Sequence, residues 1–141
     1  MKKKDILNKL SNDEHYYGSF GRKYLSSSDV GVLLSNPLSF GQEQKKTAAF
    51  LVGGYFHTTI LEPDKLKKYK IIPTTTRNTK MYKEMSGGEL CLLQQEVDKI
   101  ELMSDKMMSN EICKDLIHGK KVEFEKPMIT KIGKYMWKGK C

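Results

Sequence analysis

Residues 47–63 read TAAFLVGGYFHTTILEP, and their composition predicts the central helix of the chain. Residues 48–61 are long enough for about four helical turns, and Pro63 follows at a point where a helix normally has to stop. Apolar side chains occupy most positions around this helix, a pattern that is typical of a buried helix. We therefore expect a buried central helix over residues 48–61.

Two features interrupt its apolar character: the Gly53-Gly54 pair and the single His57. A glycine inside a helix costs about 1 kcal/mol relative to alanine, so two glycines call for a reason. Gly53 precedes His57 by four residues and lies on the same face, which leaves room for a metal, a phosphate or another backbone to approach closely. The alternatives are that the glycines admit a neighbouring helix and that His57 is a hydrogen-bonded core residue. Glu62 is about 140° around the helix from His57 and more simply marks the helix end.

The 141 residues are enough for one domain with a hydrophobic core. No apolar run reaches the length of a membrane span, and no signal-peptide core follows the basic N-terminus. The three cysteines are widely spaced, which favours reduced thiols over a disulfide framework or a zinc site. These features predict a cytoplasmic protein with no membrane partner.

The formal net charge is +8, and the excess is concentrated in two segments. Residues 65–83 hold six lysines and Arg77 with no acidic residue, and residues 120–141 hold seven lysines against two glutamates. Such an excess favours a polyanionic partner, nucleic acid before membrane. The alternative is that the lysines only form a solvated surface.

Before the central helix, the sequence predicts a helical turn over residues 5–10, a loop, and a second helix that starts at Ser26 or Ser27. This helix is expected to turn Val30, Leu33 and Leu34 inward and to end near residues 36–37. A polar segment, residues 42–47, leads into the central helix.

After Pro63 the sequence predicts short elements and then a long helix. The expected order is a helical turn over residues 64–69, an extended piece at 71–73, a polar loop at 74–80, an amphipathic helix at 89–110, and a continuation at 111–117 that ends with Gly119 as the left-handed C-cap.

From residue 121 the apolar period changes from 3.6 to two, which predicts a β-hairpin formed by residues 121–126 and 135–140. Glu123 and Glu125 are expected to share one face of the first strand, where they would reach a common ion; alternatively, they are ordinary solvent-side residues. The fold class is therefore α+β. The last strand stops in mid-pattern at Cys141, which suggests a truncated domain.

The order of these elements resembles the opening of RecE-type exonucleases, which are exodeoxyribonuclease VIII-like, phage-type members of the PD-(D/E)XK nuclease superfamily. The resemblance rests on short motifs in matching order: Leu25-Ser26-Ser27-Ser28, Ser35-Asn36-Pro37, Thr47-Ala48, Gly53-x-x-x-His57-x-x-x-Leu61-Glu62-Pro63, Arg77-Asn78-Thr79-Lys80-x-Tyr82 and Trp137-Lys138-Gly139-Lys140. It implies that residues 25–141 are the N-terminal part of such a domain, after an N-terminal segment of residues 1–24, and that the hairpin starts the central sheet.

The resemblance also implies a site. His57 would be a ligand of a catalytic Mg²⁺ or Mn²⁺, and Glu62, Glu123 and Glu125 are further candidates for metal-binding or structural roles. The family's other ligands are an Asp after a strand like residues 137–141 and an Asp/Glu-x-Lys on the next strand. Neither is present, because both would follow Cys141, where the sequence ends. The only Glu-x-Lys, residues 43–45, precedes the central helix and is in the wrong place.

The function implied is resection of double-stranded DNA for recombination, in a bacterial or phage-infected cell, with a single-strand annealing protein and a second copy of the chain as possible partners. Phosphate contacts are expected from the basic residues of the two lysine-rich segments: Arg77, Lys80, Lys83, Lys138 and Lys140. The alternatives are a catalytically inactive, nuclease-like DNA- or protein-binding phage factor that acts on a host nuclease or defence system, and a small basic interaction domain. Residues 1–141 alone are expected not to cut DNA.

Overall fold

The computed structural model describes residues 1–42 and 45–141, so Glu43 and Gln44 of the predicted polar segment and of the Glu-x-Lys motif lie outside the described residues. The elements follow in the order α1 (Lys3–Leu10), α2 (Asp13–Tyr17), α3 (Ser27–Ser35), α4 (Ala48–Leu61), β1 (Ile71–Ile72), α5 (Lys80–Ser86), β2 (Leu92–Leu93), α6 (Gln94–Met108), α7 (Glu111–His118), β3 (Pro127–Ile132) and β4 (Tyr135–Lys140). Short 3₁₀-helices occupy Gly21–Lys23, Pro37–Ser39 and Pro63–Lys68. This mixture of helices and small sheets is consistent with the predicted α+β class.

The chain divides into two compact units. The first unit joins Met1–Glu43 to Glu123–Cys141, and the second unit is Gln44–Val122. The boundary predicted at residue 24 from the family resemblance stays a prediction.

The first unit is built around the antiparallel hairpin of β3 and β4, whose register runs from Pro127 opposite Lys140 to Ile132 opposite Tyr135. Gly133 adopts φ +59° in the turn, a conformation that costs glycine little. Helices α1 and α2 cover the hairpin, and the core that they share with it consists of Leu10, Tyr16 and Ile129.

The second unit is built around α4, which packs against α6. The Thr47 hydroxyl accepts a hydrogen bond from the Phe50 amide at 3.3 Å and caps the helix. Strands β1 and β2 pair in parallel beside it, and one core cluster contains Tyr55, Leu92, Val97 and Ile100. The bounds predicted for the central helix α4 are confirmed.

Two predictions about burial are wrong. The central helix is not buried on all sides, because the Phe50 side chain is 67% exposed. Helix α3 has the predicted start, but Val30, Leu33 and Leu34 are exposed by 38%, 43% and 83% instead of turning inward. Apolar composition alone therefore overestimates the buried surface of both helices.

The structure also corrects several boundaries. The loop expected after residue 10 contains α2, which Asn12 caps through the amides of Glu14 and His15. Helix α6 starts at residue 94 and not 89, because the two residues before it form β2. Gly119 has φ −63° and is not a left-handed cap.

The predicted strand over residues 121–126 is also wrong: the first strand of the hairpin starts at Pro127. Lys121 and Glu125 have φ values of +67° and +52°, and a continuous β-strand does not accommodate such values. Glu123 and Glu125 therefore do not share a strand face.

Candidate functional site

The two glycines of α4 have different surroundings. A Cβ atom built on Gly54 would lie 3.2 Å from the Tyr69 hydroxyl oxygen. The same hydroxyl is 3.0 Å from Thr58 Oγ1, which donates to the Gly54 carbonyl at 2.8 Å. At Gly53, no atom of the described chain lies within 4 Å of the corresponding Cβ position. Gly54 thus admits a close internal neighbour, whereas Gly53 lies on an open surface.

His57 is exposed and shares the helix face of Gly53, four residues away. The alternative of a core histidine is therefore excluded by its exposure. The imidazole and the open glycine are both part of the exposed face of α4. No described residue occupies the close-approach position predicted at Gly53.

The candidate carboxylates are each paired with a lysine. Glu62 lies 2.6 Å from Lys65, Glu123 contacts Lys126, and Glu125 lies 3.5 Å from Lys140. Over residues 1–42 and 45–141, no three His, Cys, Asp or Glu side chains are grouped so that they would hold a metal ion. The described residues therefore do not fit a complete Mg²⁺ or Mn²⁺ centre.

Arg77, predicted to contact DNA, makes internal contacts in the second unit. Its Nη2 donates to Glu96 Oε2 at 2.6 Å and to the Cys91 carbonyl at 3.2 Å. Glu96 also accepts a hydrogen bond from the Leu93 amide at 2.9 Å and so caps α6. The hydrogen bond with Glu96 raises the pKa of Arg77 and outweighs the opposing effect of burial. Arg77 thereby joins the 74–79 loop to the start of α6.

Lys80 and Lys83, in contrast, are exposed on α5. The Thr79 hydroxyl caps this helix by accepting the Tyr82 amide at 3.1 Å. The Lys80 side chain is 90% exposed and its ammonium is 3.8 Å from Glu84, which makes a weak pair. Of the predicted loop cations, these two lysines are the ones whose ammonium groups are accessible.

Lys138 and Lys140 connect β4 to α2 within the first unit. Lys140 is only 8% exposed and donates to Asp13 Oδ1 at 2.6 Å. The Lys138 ammonium donates to the Tyr16 carbonyl and lies 4.2 Å from the centre of the Tyr16 ring. These contacts give both lysines a structural role, which does not favour the predicted contact with phosphates.

Burial affects the two ammonium groups differently. Burial lowers the pKa of Lys138. Burial also acts to lower the pKa of Lys140, but the hydrogen bond with Asp13 and the negative charge of Asp13 outweigh burial and raise this pKa.

Sequence reasoning missed the roles of Asp13 and Tyr16. The only signal for them was their place in a cluster of aromatic and acidic residues around residue 15.

In the described part of the chain, none of the helices combines the length and the apolar character that a membrane span requires. A mixed α+β fold with exposed lysines and an accessible histidine on its central helix is compatible with the nuclease-like class that the sequence motifs indicated.

Comparison with known families identifies that class directly. The family model described as "PDDEXK-like domain of unknown function (DUF3799)" matches residues 36–141. The chain therefore belongs to this family, and its domain is of the PD-(D/E)XK nuclease type. No curated protein and no solved structure gave a significant match.

Proposed function

We propose that the chain is the N-terminal part of a metal-dependent DNA exonuclease of the RecE type, which resects double-stranded DNA for recombination. The observation that carries the proposal is the family match over residues 36–141. The position of His57 supports it, because the imidazole is exposed on the central helix beside the open surface at Gly53. The proposed setting is the cytoplasm of a bacterial or phage-infected cell, with a single-strand annealing protein and further copies of the chain as partners.

His57 would contribute one ligand to Mg²⁺ or Mn²⁺, and the remaining ligands that the resemblance implies are an Asp and an Asp/Glu-x-Lys outside residues 1–141. Lys80 and Lys83 would contact the phosphates of the duplex, because their ammonium groups are exposed on α5. Arg77 would act indirectly, by holding the loop before α5 in place.

The test uses the natural protein that contains this sequence, purified at its full length, with linear duplex DNA and Mg²⁺. His57→Ala should lower the rate of hydrolysis by at least about 100-fold, because even residues behind a metal ligand cost 10- to 100-fold when replaced. His118→Ala is the matched control, since His118 is an exposed histidine at the end of α7. Full activity in the His57 variant would refute the assignment of this ligand.

The second candidate is a catalytically inactive, nuclease-like factor that binds DNA or protein and acts on a host nuclease or defence system. The ion pairs that engage Glu62, Glu123 and Glu125 favour it, since a carboxylate that ligates a metal would have to leave its lysine. DNA binding by the full-length protein without any Mg²⁺-dependent cleavage would select this candidate over the first.

A further inference from the structure

The accessible face of α4 carries an aromatic side chain as well as the histidine. Phe50, Gly53 and His57 are separated by three and four residues, so they follow one another along a single helix face. Phe50 is 67% exposed and His57 is exposed, whereas Tyr55 and Thr58 of the same helix are buried. A single exposed apolar side chain is common on protein surfaces, so the exposure of Phe50 becomes informative only together with the charges near it.

The charges around this face point to a polyanion. Lys45 and Lys46 are both exposed and directly precede the capping residue Thr47. Residues 45–61 contain no aspartate or glutamate, and the first turn of α4 has none. An anionic partner would therefore meet two lysines and the positive end of a 14-residue helix, with no acidic residue of α4 to repel it.

We propose that the surface formed by Lys45, Lys46, Phe50 and Gly53, here named the Phe50 surface, binds a single strand of DNA. The Phe50 ring stacks on a base, the sugar-phosphate backbone passes over Gly53, and the lysines neutralise phosphates. Stacking of this kind needs a base that is not already stacked in a duplex, and it tolerates any sequence because every base has an aromatic face.

Because Gly53 has no side chain, the sugar-phosphate backbone of the DNA strand can pass close to α4. No atom of the described chain approaches the Cβ position of Gly53 within 4 Å, so a larger residue would project outward and not into the core. Phe50 is seven residues from His57, about 10 Å along the helix axis. The inference rests on the proposed function in that the strand would continue towards the proposed metal ligand, but binding at the Phe50 surface needs no metal.

The test is fluorescence anisotropy of a labelled oligothymidylate with the full-length natural protein at low salt and in the presence of EDTA, which prevents metal-dependent cleavage. Phe50→Ala should weaken binding by about 5- to 100-fold, the range expected for loss of one stacked base. Phe50→Trp should retain affinity, whereas Phe50→Leu, which is apolar but cannot stack, should resemble the alanine variant.

Gly53→Gln should also weaken binding, because the new side chain occupies the path of the strand. Its folding is checked by circular dichroism and thermal melting, which should show no loss of stability because glycine is a poor helix former. Leu102→Ala is the matched control, since Leu102 is an apolar residue of α6 with 61% exposure. It should leave the affinity unchanged.

Binding in EDTA separates this proposal from the proposed nuclease function, because stacking on Phe50 needs no metal whereas cleavage does. Unchanged affinity in Phe50→Ala, full affinity in Phe50→Leu, or no binding by the wild-type chain would overturn the proposal. A self-association detected by light scattering that Phe50→Ala abolishes without affecting DNA binding would instead make this face an interface between copies.

Discussion

The surroundings of Gly53 and Gly54 determine how replacement of each by alanine changes the free energy of unfolding. Both are helical, and both replacements by alanine should gain up to about 1 kcal/mol of helix propensity. For Gly53→Ala the gain should be realised in full, because the new methyl group meets no described atom. For Gly54→Ala it should be offset, because the methyl group would lie 3.2 Å from the Tyr69 hydroxyl and disturb its contact with Thr58. Urea unfolding of the two variants measures the difference, and equal stabilities would contradict the assigned orientation of the pair.

Arg77 gives a second prediction at this scale. Its side chain is 24% exposed and that of Glu96 is 20% exposed, so the pair is partly shielded from water. Arg77→Ala should lower the free energy of unfolding by about 2 kcal/mol, because it removes a charge-assisted hydrogen bond and leaves the Cys91 carbonyl without this donor. Lys80→Ala should change it by less than about 0.5 kcal/mol, because the Lys80 pair is exposed.

The sequence could not show this role of Arg77. The residue stands among threonines and lysines, which suggests a surface loop, and its partner Glu96 is 19 positions further along the chain. Only the folded unit brings them together. If Arg77→Ala and Lys80→Ala lowered the free energy of unfolding equally, the distinction between Arg77 as an internal cation and Lys80 as a surface cation would not hold.

At the scale of elements, the sequence predicted correctly the element whose bounds are set by residues close to it in the chain. The central helix was predicted with the observed bounds because an apolar run over residues 48–61 is followed by Pro63, which cannot continue a helix. The Thr47 cap at its start is seen only in the structure. Strand β2 was missed because it has two residues and its partner β1 is about twenty residues away. The strand predicted at 121–126 failed because alternation reports side-chain polarity and not backbone angles, and Lys121 has a positive φ.

The connection between β4 and α2 makes a prediction about pH. Burial lowers the pKa of Lys140, but the hydrogen bond and the charge of Asp13 outweigh it and raise the folded-state pKa above the ordinary value of 10.5, so the folded protein binds this proton more tightly than the unfolded chain. The stabilisation is therefore complete below pH 10.5 and is lost as the pH rises through the folded-state pKa. Lys140→Met should lower the melting temperature at pH 8, and the difference from wild type should shrink above pH 10.5.

Lys131→Met is the control for this experiment, because Lys131 is an exposed lysine of the neighbouring strand β3. It should leave the melting temperature at pH 8 close to that of the wild type. A difference between Lys140→Met and wild type that stayed constant up to pH 11 would show that the contribution of Lys140 does not depend on its charge.

At the scale of the whole molecule, the motifs indicated the correct superfamily, but they did not show how the candidate site residues are paired. The match over residues 36–141 agrees with the superfamily that the motif order indicated. Sequence reasoning singled out His57, which the structure exposes, but could not reveal that Glu125 is paired with Lys140. Glu125 and Lys140 are fifteen residues apart and meet only because the hairpin folds. Pairings of this kind depend on tertiary structure, and local patterns do not report them.

The net charge of +8 leads to the last prediction, which concerns duplex DNA. If Lys80 and Lys83 contact phosphates, each releases counterions on binding, and the double variant Lys80→Ala/Lys83→Ala should flatten the slope of log K against log salt concentration by about 1.8. Arg77 is excluded from the variant because its removal would disturb the fold. The control, Lys106→Ala/Lys114→Ala, removes the same charge from exposed positions of α6 and α7 and should change the slope far less. Equal flattening of the slope in both variants would mean that DNA binding depends on the overall charge of the protein and that α5 does not contact the DNA.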